Sequence, residues 1–484
     1  MGLFYHQVSA DTVCFGVCRR GNFGSLDVRG ALGLRAASSG PRFGPCRWSR
    51  PPGPVRRLLC GVGWLTRIGH IQPADTVGAL ALTGVGVSLP IGILLMAFSS
   101  LVAAGGAPRA SIQEGRGNSA ESERILGNSF SLLVIFALVL TVLLQLFAEP
   151  ILYTFGASEN TIGYALDYLR IYALGTIFVQ ITLGMNAFIT AQGFTSVSMK
   201  TVLIGAVLNT ILDPIFIFGF GWGVKGAALA TVLSQAVSAI WVLCFLTGRR
   251  TKWRLTRRNL SLCPAVFLPS LALGLSPFIM QSTESLIAIC FNASLLKYGG
   301  DLAVASMTIL TSIMQFSMMP LLGLSQGAQP LLSFNFGARN GQRVKEAFRC
   351  LLIASFACSM LVWIPVQLFP QAFVRIFNNT PELVEYASRS LRIYMAVSGI
   401  FGIQIACQQT FIALGNAKTS LFLAILRKIL LLIPLIYLLP CFFADKAFSV
   451  FLAEPVADVL AVCTTAFLFN QHFKASMAKL NEPQ

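Results

Sequence analysis

Eleven apolar runs of about 20 residues or more dominate this sequence. A helix of about 20 apolar residues matches the hydrocarbon thickness of a bilayer. The predicted spans are 77–104, 128–147, 164–191, 196–218, 226–246, 264–293, 303–325, 348–369, 385–413, 419–441 and 449–470. Charged residues make up 11% of the 484-residue chain, whereas soluble domains carry about 25%. The sequence therefore predicts an all-α polytopic membrane protein.

The chain repeats itself at an offset of 222 residues. The block Leu169–Tyr172 reads Leu-Arg-Ile-Tyr and returns unchanged as Leu391–Tyr394. Further identities in the same ungapped register include Gly115 with Gly337 and Asn118 with Asn340. Two homologous halves are typical of transporters, whose substrate sites form between repeats that move against each other.

This repeat divides the chain into two pseudo-symmetric bundles of six helices each. We expect the first bundle within 71–246 and the second within 264–470. A basic linker at 247–263 joins them, and a tail follows at 471–484. Twelve transmembrane helices are therefore expected, one more than the number of apolar runs.

The N-terminal segment 1–70 does not supply the missing helix. The span at 264–293 requires a partner near 42–71, but residues 1–70 contain ten arginines and only two acidic residues, with many Gly and Pro. We interpret 1–70 as an atypical segment that replaces the first helix. Our hypothesis is that residues 1–67 are out of register with the gene through a frameshift or a misassigned start. The alternative is a basic targeting or cytosolic extension.

Basic residues in the loops predict the orientation. With the missing helix counted, Lys and Arg concentrate after even-numbered spans, and six of them lie between Arg249 and Arg258 in the linker. Basic loops remain in the cytoplasm, so the linker and both termini are expected there. The net charge of +17 is explained by this topology and the N-terminal segment. We therefore expect no nucleic-acid partner.

Four carboxylates lie in or near the predicted spans: Asp213, Glu284, Glu454 and Asp458. An ionised carboxylate in hydrocarbon costs several kcal/mol, which makes each a functional candidate. Asn209 and Asp213 are four residues apart and share one helix face. An amide beside a carboxylate can hold a small cation or a proton.

Each of these carboxylates also has a structural interpretation. Asp213 could cap a helix break at Pro214, and Glu284 could serve packing through hydrogen bonds. We interpret Asp458 as a first-turn carboxylate that the helix dipole favours. The pair Arg427-Lys428 could face the cytoplasmic mouth or the central cavity, and the sequence does not decide between them.

Several segments resemble the multidrug and toxic compound extrusion (MATE) transporters. They include Gly78–Pro90, Leu208–Pro214 and Gly323–Pro330. The resemblance covers about 68–470 and implies a multi-pass protein of the bacterial cytoplasmic (inner) membrane. It implies antiport that exports amphipathic or cationic drug-like compounds in exchange for Na⁺ or H⁺. No enzymatic activity, no cofactor beyond the coupling ion and no bound metal are expected, and we expect a monomer in the lipid bilayer.

The resemblance also assigns roles to single residues. It implies cation or proton coupling at Asn209, Asp213 and Thr231, a site that a first-helix carboxylate normally completes. Glu284 resembles a second coupling carboxylate on the seventh helix. The residues expected to line the substrate cavity are Tyr168, Asn186, Gln408 and Gln409.

Two other functions are alternatives. A lipid-linked oligosaccharide flippase of the same superfamily would carry more cationic residues inside its cavity, where the first half offers only Arg170. A membrane-embedded enzyme would need clustered catalytic groups. The three histidines, His6, His70 and His472, are scattered, which disfavours an enzyme.

Overall fold

The computed structural model of the protein describes residues 76–481. The first half of this region consists of α1 (Thr76–Gly115), α2 (Ser119–Thr154), α3 (Ile162–Leu174), α4 (Thr176–Ala191), α5 (Thr195–Pro214) and α6 (Gly223–Thr247). Helices α3 and α4 are bent by 55° relative to each other and together form one broken span. A π-helical turn, Ile215–Gly219, extends α5.

The second half consists of eight helical pieces. They are α7 (Pro264–Gly337), α8 (Gly341–Leu368), α9 (Pro370–Arg375), α10 (Pro381–Tyr394), α11 (Phe401–Ala413), α12 (Ala417–Ile425), α13 (Ile433–Leu438) and α14 (Lys446–Asn481). Helix α10 and the segment Ser398–Ala413 form a second broken span with a bend of 45°. A π-helical segment, Leu426–Leu432, connects α12 to α13.

Helix α7 contains two membrane crossings. Its 74 residues correspond to about 110 Å at 1.5 Å per residue, far more than one bilayer. At Gly300 the backbone has φ 63° and ψ −161°, a conformation that glycine adopts readily because it has no Cβ. The chain reverses there and returns toward the linker.

The described residues therefore provide eleven crossings, in agreement with the apolar runs. Eight helices are long and apolar enough to span a membrane, and two bent pairs add two more. Counting α7 twice gives the eleventh. No strand occurs within 76–481. The predicted absence of a first helix and the hypothesis about residues 1–67 concern a segment that lies outside the described residues.

Side-chain contacts follow the sequence repeat. Several side-chain-to-backbone hydrogen bonds recur at the offset of 222 residues. Asn118 accepts from the backbone amide of Glu121, as Asn340 does from that of Arg343. Gln145 donates to the carbonyl of Arg170, as Gln367 does to that of Arg392. Ser111 donates to the carbonyl of Ala191, as Ser333 does to that of Ala413. The same residues thus make the same local structure in both halves.

The two halves pack closely along α1 and α7. A Cβ atom at Gly105 would overlap the backbone of Ser270, and one at Gly115 would overlap that of Phe334. Gly337, the repeat counterpart of Gly115, lies as close to the backbone of Ile112. Glycine at these positions is required for backbones to approach to this distance.

The linker lies against the same end of the molecule. The Trp253 indole donates a hydrogen bond of 2.9 Å to the carboxylate of Glu114, near the end of α1. The carboxamide oxygen of Gln192, just after α4, accepts from the backbone amides of Lys252 and Trp253. We call this the linker end of the molecule.

Candidate functional site

A polar cluster joins α5 and α6 in the first bundle. The Asn209 amide nitrogen donates to the Asp213 carboxylate at 3.1 Å and to the Thr231 hydroxyl at 3.4 Å. Tyr168, on α3, lies beside Thr231 and Asp213. We call these four residues the first-bundle cluster. The structure thus brings together four of the eight predicted site residues.

Proline shapes the α5 side of this cluster. Asn209 and Asp213 lie one helical turn apart, so their side chains are on the same face. Pro214 follows directly and lacks an N–H group, which leaves the carbonyl of Thr210 without its usual helical donor. The π-helical turn Ile215–Gly219 begins at the next residue. Carboxylate, amide, hydroxyl and carbonyl oxygens are the groups that hard cations prefer.

The charge of Asp213 has no fixed partner in this region. Asn209 is 5% exposed, and Asp213 is partly buried beside it. Within 76–481, no Lys or Arg forms an ion pair with Asp213. A carboxylate in a span without a basic partner is stabilised by an exchangeable cation or a proton.

Asn186 and Gln408 occupy equivalent positions away from this cluster. The Asn186 amide donates to the carbonyl of Ser198 at 3.5 Å. Gln408, its repeat counterpart, donates to the hydroxyl groups of Ser276 and Ser420 at 3.0 and 3.1 Å. Both amide side chains are buried between helices.

The Asn186 amide is therefore distant from Asp213. Ser198 precedes Asp213 by 15 residues on α5, which is about 20 Å along a helix. Gln409 is partly buried next to Gln408. Asn186 thus lies apart from the first-bundle cluster, and Gln408 hydrogen-bonds to residues of the second half.

A buried ion-pair cluster occupies the second bundle. The Arg427 Nε atom is 2.8 Å from the Asp458 carboxylate, and its terminal nitrogen is 3.1 Å from the Glu454 carboxylate. The three side chains are only 3–6% exposed. The guanidinium also lies 4.4 Å from the centre of the Phe401 ring. We call Arg427, Glu454 and Asp458 the second-bundle triad.

Lys428 pairs with the remaining carboxylate. Its ammonium lies 2.7 Å from the Glu284 carboxylate. The Lys428 side chain is 6% exposed and that of Glu284 is 54% exposed. Neighbouring residues on a helix point in different directions, so Arg427 contacts α14 while Lys428 contacts α7. Both belong to the π-helical segment Leu426–Leu432, and π-bulges are frequent at functional sites.

Two sequence interpretations change in this light. The dipole interpretation of Asp458 is wrong, because α14 begins at Lys446 and continues through Pro455. Asp458 therefore lies three turns into the helix and is held by Arg427. Arg427 and Lys428 are both buried inside the bundle and paired with carboxylates, which is neither of the two placements that the sequence left open. The available signal was that charges within spans usually pair with one another.

The two bundles carry different chemistry on equivalent helices. The first-half counterparts of Arg427, Lys428, Glu454 and Asp458 are Gly205, Ala206, Val232 and Ala236. The second-half counterparts of Asn209, Asp213 and Thr231 are Leu431, Leu435 and Ala453. An unpaired carboxylate therefore distinguishes the first bundle, and neutralised carboxylates distinguish the second.

Comparison with known proteins identifies the family. The MatE family model matches residues 74–215 and again residues 277–438, together more than half of the chain. The chain belongs to the MatE family. The two matches fall in the two halves of the repeat, and the MATE transporters are membrane proteins of this helical architecture.

Several MATE proteins are similar over most of their length. The multidrug export protein MepA of Staphylococcus haemolyticus is 26% identical over 421 residues, 87% of this chain and 91% of that one. A MATE protein in the bent conformation superposes with a TM-score of 0.80 at 20% identity, covering 88% and 93% of the two chains. The MATE multidrug transporter DinF-BH has a TM-score of 0.77 at 30% identity, covering 85% and 92%.

Proposed function

We propose that this MATE protein is a secondary multidrug efflux antiporter. It exports amphipathic or cationic compounds in exchange for Na⁺ or H⁺, and the coupling ion binds at the first-bundle cluster. The observation that carries this proposal is the Asp213 carboxylate, which lies within a span, hydrogen-bonded to Asn209 and without an ion-pair partner among residues 76–481. The names of MepA and DinF-BH as multidrug transporters support it.

The hydrogen bonds of the cluster suggest how ion binding reaches the helices. Asn209 connects Asp213 to Thr231 on α6, and Thr231 contacts Tyr168 on α3. A cation or proton at Asp213 removes the negative charge that attracts the Asn209 amide. The contacts among α3, α5 and α6 must then rearrange. The packing of the first bundle therefore differs between the ion-bound and ion-free states.

This difference in packing couples the ion to the drug. An ion shifts a conformational equilibrium only by its difference in affinity for the two states. If the ion-bound packing binds drug more weakly, ion entry from outside releases the drug there. By linkage, the drug weakens ion binding to the same extent. Return of the ion-free carrier then allows drug to load from the cytoplasm.

The second-bundle triad has a different role in this proposal. Arg427 neutralises carboxylates that would otherwise be unpaired in the bilayer, so the triad holds α14 against the π-helical segment. Glu284 remains a second candidate for coupling, as the resemblance implies. Its pair with Lys428 must open before a cation can bind there.

The proposed orientation places the linker end in the cytoplasm of a bacterial cell. The basic linker favours this side. The close contact of Gly115 with Phe334 joins the halves at that end, which supports a cavity that opens toward the outside.

Dye efflux from proteoliposomes tests the proposal. The purified protein is reconstituted with ethidium, and efflux is followed under a Na⁺ gradient and a proton gradient applied separately. We expect one gradient to drive efflux, and Asp213→Asn to abolish it while the protein still inserts and remains monodisperse. The matched control is Asp167→Asn, which removes an exposed carboxylate paired with Lys225 at 3.4 Å. Gradient-driven efflux of normal rate in Asp213→Asn would refute the assignment.

A further inference from the structure

An arginine-lined cavity lies at the end of the second bundle opposite the linker. It has a volume of about 560 Å³ and is formed by the end of α8, by α9 and by the middle and end of α10. Arg375, Arg389 and Arg392 line it, together with one acidic residue, Glu385. We call it the arginine cavity. Three guanidinium groups against one carboxylate give it a net positive charge.

A buried hydroxyl adds a hydrogen-bonding group to this cavity. Ser388 lines it and is only 5% exposed. Its Oγ atom has no hydrogen-bond partner within the described residues. Buried polar atoms in native proteins almost always have a partner, and rotation of this side chain toward the cavity would give its hydroxyl a ligand oxygen as partner. Arginine is the side chain best suited to grip phosphate oxygens, since it can donate two parallel hydrogen bonds.

The repeat shows that the fold does not require this charge. The first-half counterparts of Gln371, Arg375, Arg389 and Arg392 are Glu149, Tyr153, Asp167 and Arg170. Three of the four positions thus lose their basic character or become acidic in the first half. The arginine cavity is therefore a property of the second bundle alone.

Exposed apolar side chains border the arginines. Leu368 and Phe369 line the cavity and are 61% and 65% exposed, and Ile376 just after α9 is 76% exposed. Such side chains are stable in contact with lipid chains, and arginines at the ends of spans reach toward the headgroups. A soluble anion would make no use of this apolar border.

We propose that the arginine cavity binds an anionic phospholipid, with the phosphate among Arg375, Arg389 and Arg392 and the acyl chains against Leu368 and Phe369. The Ser388 hydroxyl donates a further hydrogen bond to a phosphate oxygen. The site lies at the membrane face opposite the linker and does not depend on which ion drives transport.

Native mass spectrometry of the full-length protein in detergent tests this site. The probes are dioleoylphosphatidylglycerol and the zwitterionic dioleoylphosphatidylcholine. We expect retention of one phosphatidylglycerol in preference to phosphatidylcholine. Each Arg→Gln substitution in the cavity should weaken phosphatidylglycerol binding about fivefold, since a basic residue near anionic lipid contributes about 1 kcal/mol. The triple variant should weaken it about a hundredfold.

Matched variants separate binding from folding. Arg170→Gln changes the repeat counterpart of Arg392 and should leave lipid retention within about twofold of the wild type. Lysine at all three positions keeps the charge and should retain the lipid. Equal retention of both lipids, or unchanged retention in the glutamine triple variant, would overturn the proposal. Complete displacement of phosphatidylglycerol by millimolar inorganic phosphate would also overturn it, because the cavity would then be a site for soluble anions.

Discussion

Replacing Arg427 by leucine should destabilise the protein severely. Arg427 is the counter-charge for both Glu454 and Asp458, at 3.1 and 2.8 Å, and none of the three side chains is more than 6% exposed. Removing one partner of a buried ion pair typically costs about 3–5 kcal/mol, because the remaining charge is left unpaired. Here two carboxylates lose their partner, so we expect the upper part of that range.

Thermal unfolding in detergent, monitored by fluorescence-detected size-exclusion chromatography, measures this effect. We expect the midpoint of Arg427→Leu to fall by on the order of 10 °C. The matched variant is Glu454→Gln, which leaves the Arg427 guanidinium paired with the Asp458 carboxylate alone. That pair is electrically balanced, so its midpoint should change by only a few degrees. Equal losses in the two variants would refute the reasoning from charge balance.

Three further substitutions test other parts of the structure. Asn209→Ala removes the bridge from Asp213 to Thr231 through which ion binding reaches α6, so gradient-driven ethidium efflux should slow about tenfold; an unchanged rate would contradict the cluster. Gly115→Val forces a side chain into the Phe334 backbone and should abolish transport, whereas Gly86→Val, where nothing lies within 4 Å, should preserve it. Arg339 has φ 56°, a strained value for a residue with a side chain, and its repeat counterpart is Gly117. Arg339→Gly should therefore raise the unfolding free energy by up to about 1 kcal/mol. A lower unfolding midpoint would argue against strain.

Much of the architecture could be predicted from the sequence. Apolar runs located the eleven crossings because a span must satisfy its backbone internally and expose apolar side chains to lipid. The offset of 222 residues predicted the pairing of local structures such as the caps at Asn118 and Asn340. The spacing of Asn209 and Asp213 predicted their contact, since four residues make one helical turn.

Contacts between distant helices could not be predicted in the same way. Periodicity reports which side chains share a face, but not which neighbouring helix that face meets. The pairing of Arg427 with Asp458 joins residues on separate helices, and the π-helical segment that orients Arg427 has no clear sequence signal. Asn186 was expected in the cavity from the resemblance to MATE transporters, and the structure shows its amide in contact with Ser198 near the linker end of α5.

Reciprocal linkage at Asp213 is the most direct test of the account. Ethidium affinity of the detergent-solubilised protein is measured by fluorescence anisotropy at low and high Na⁺, and at low and high pH. We predict that the coupling ion weakens ethidium binding to the wild type and leaves the affinity of Asp213→Asn unchanged. An ion dependence of the same size in Asp213→Asn would contradict the central claim.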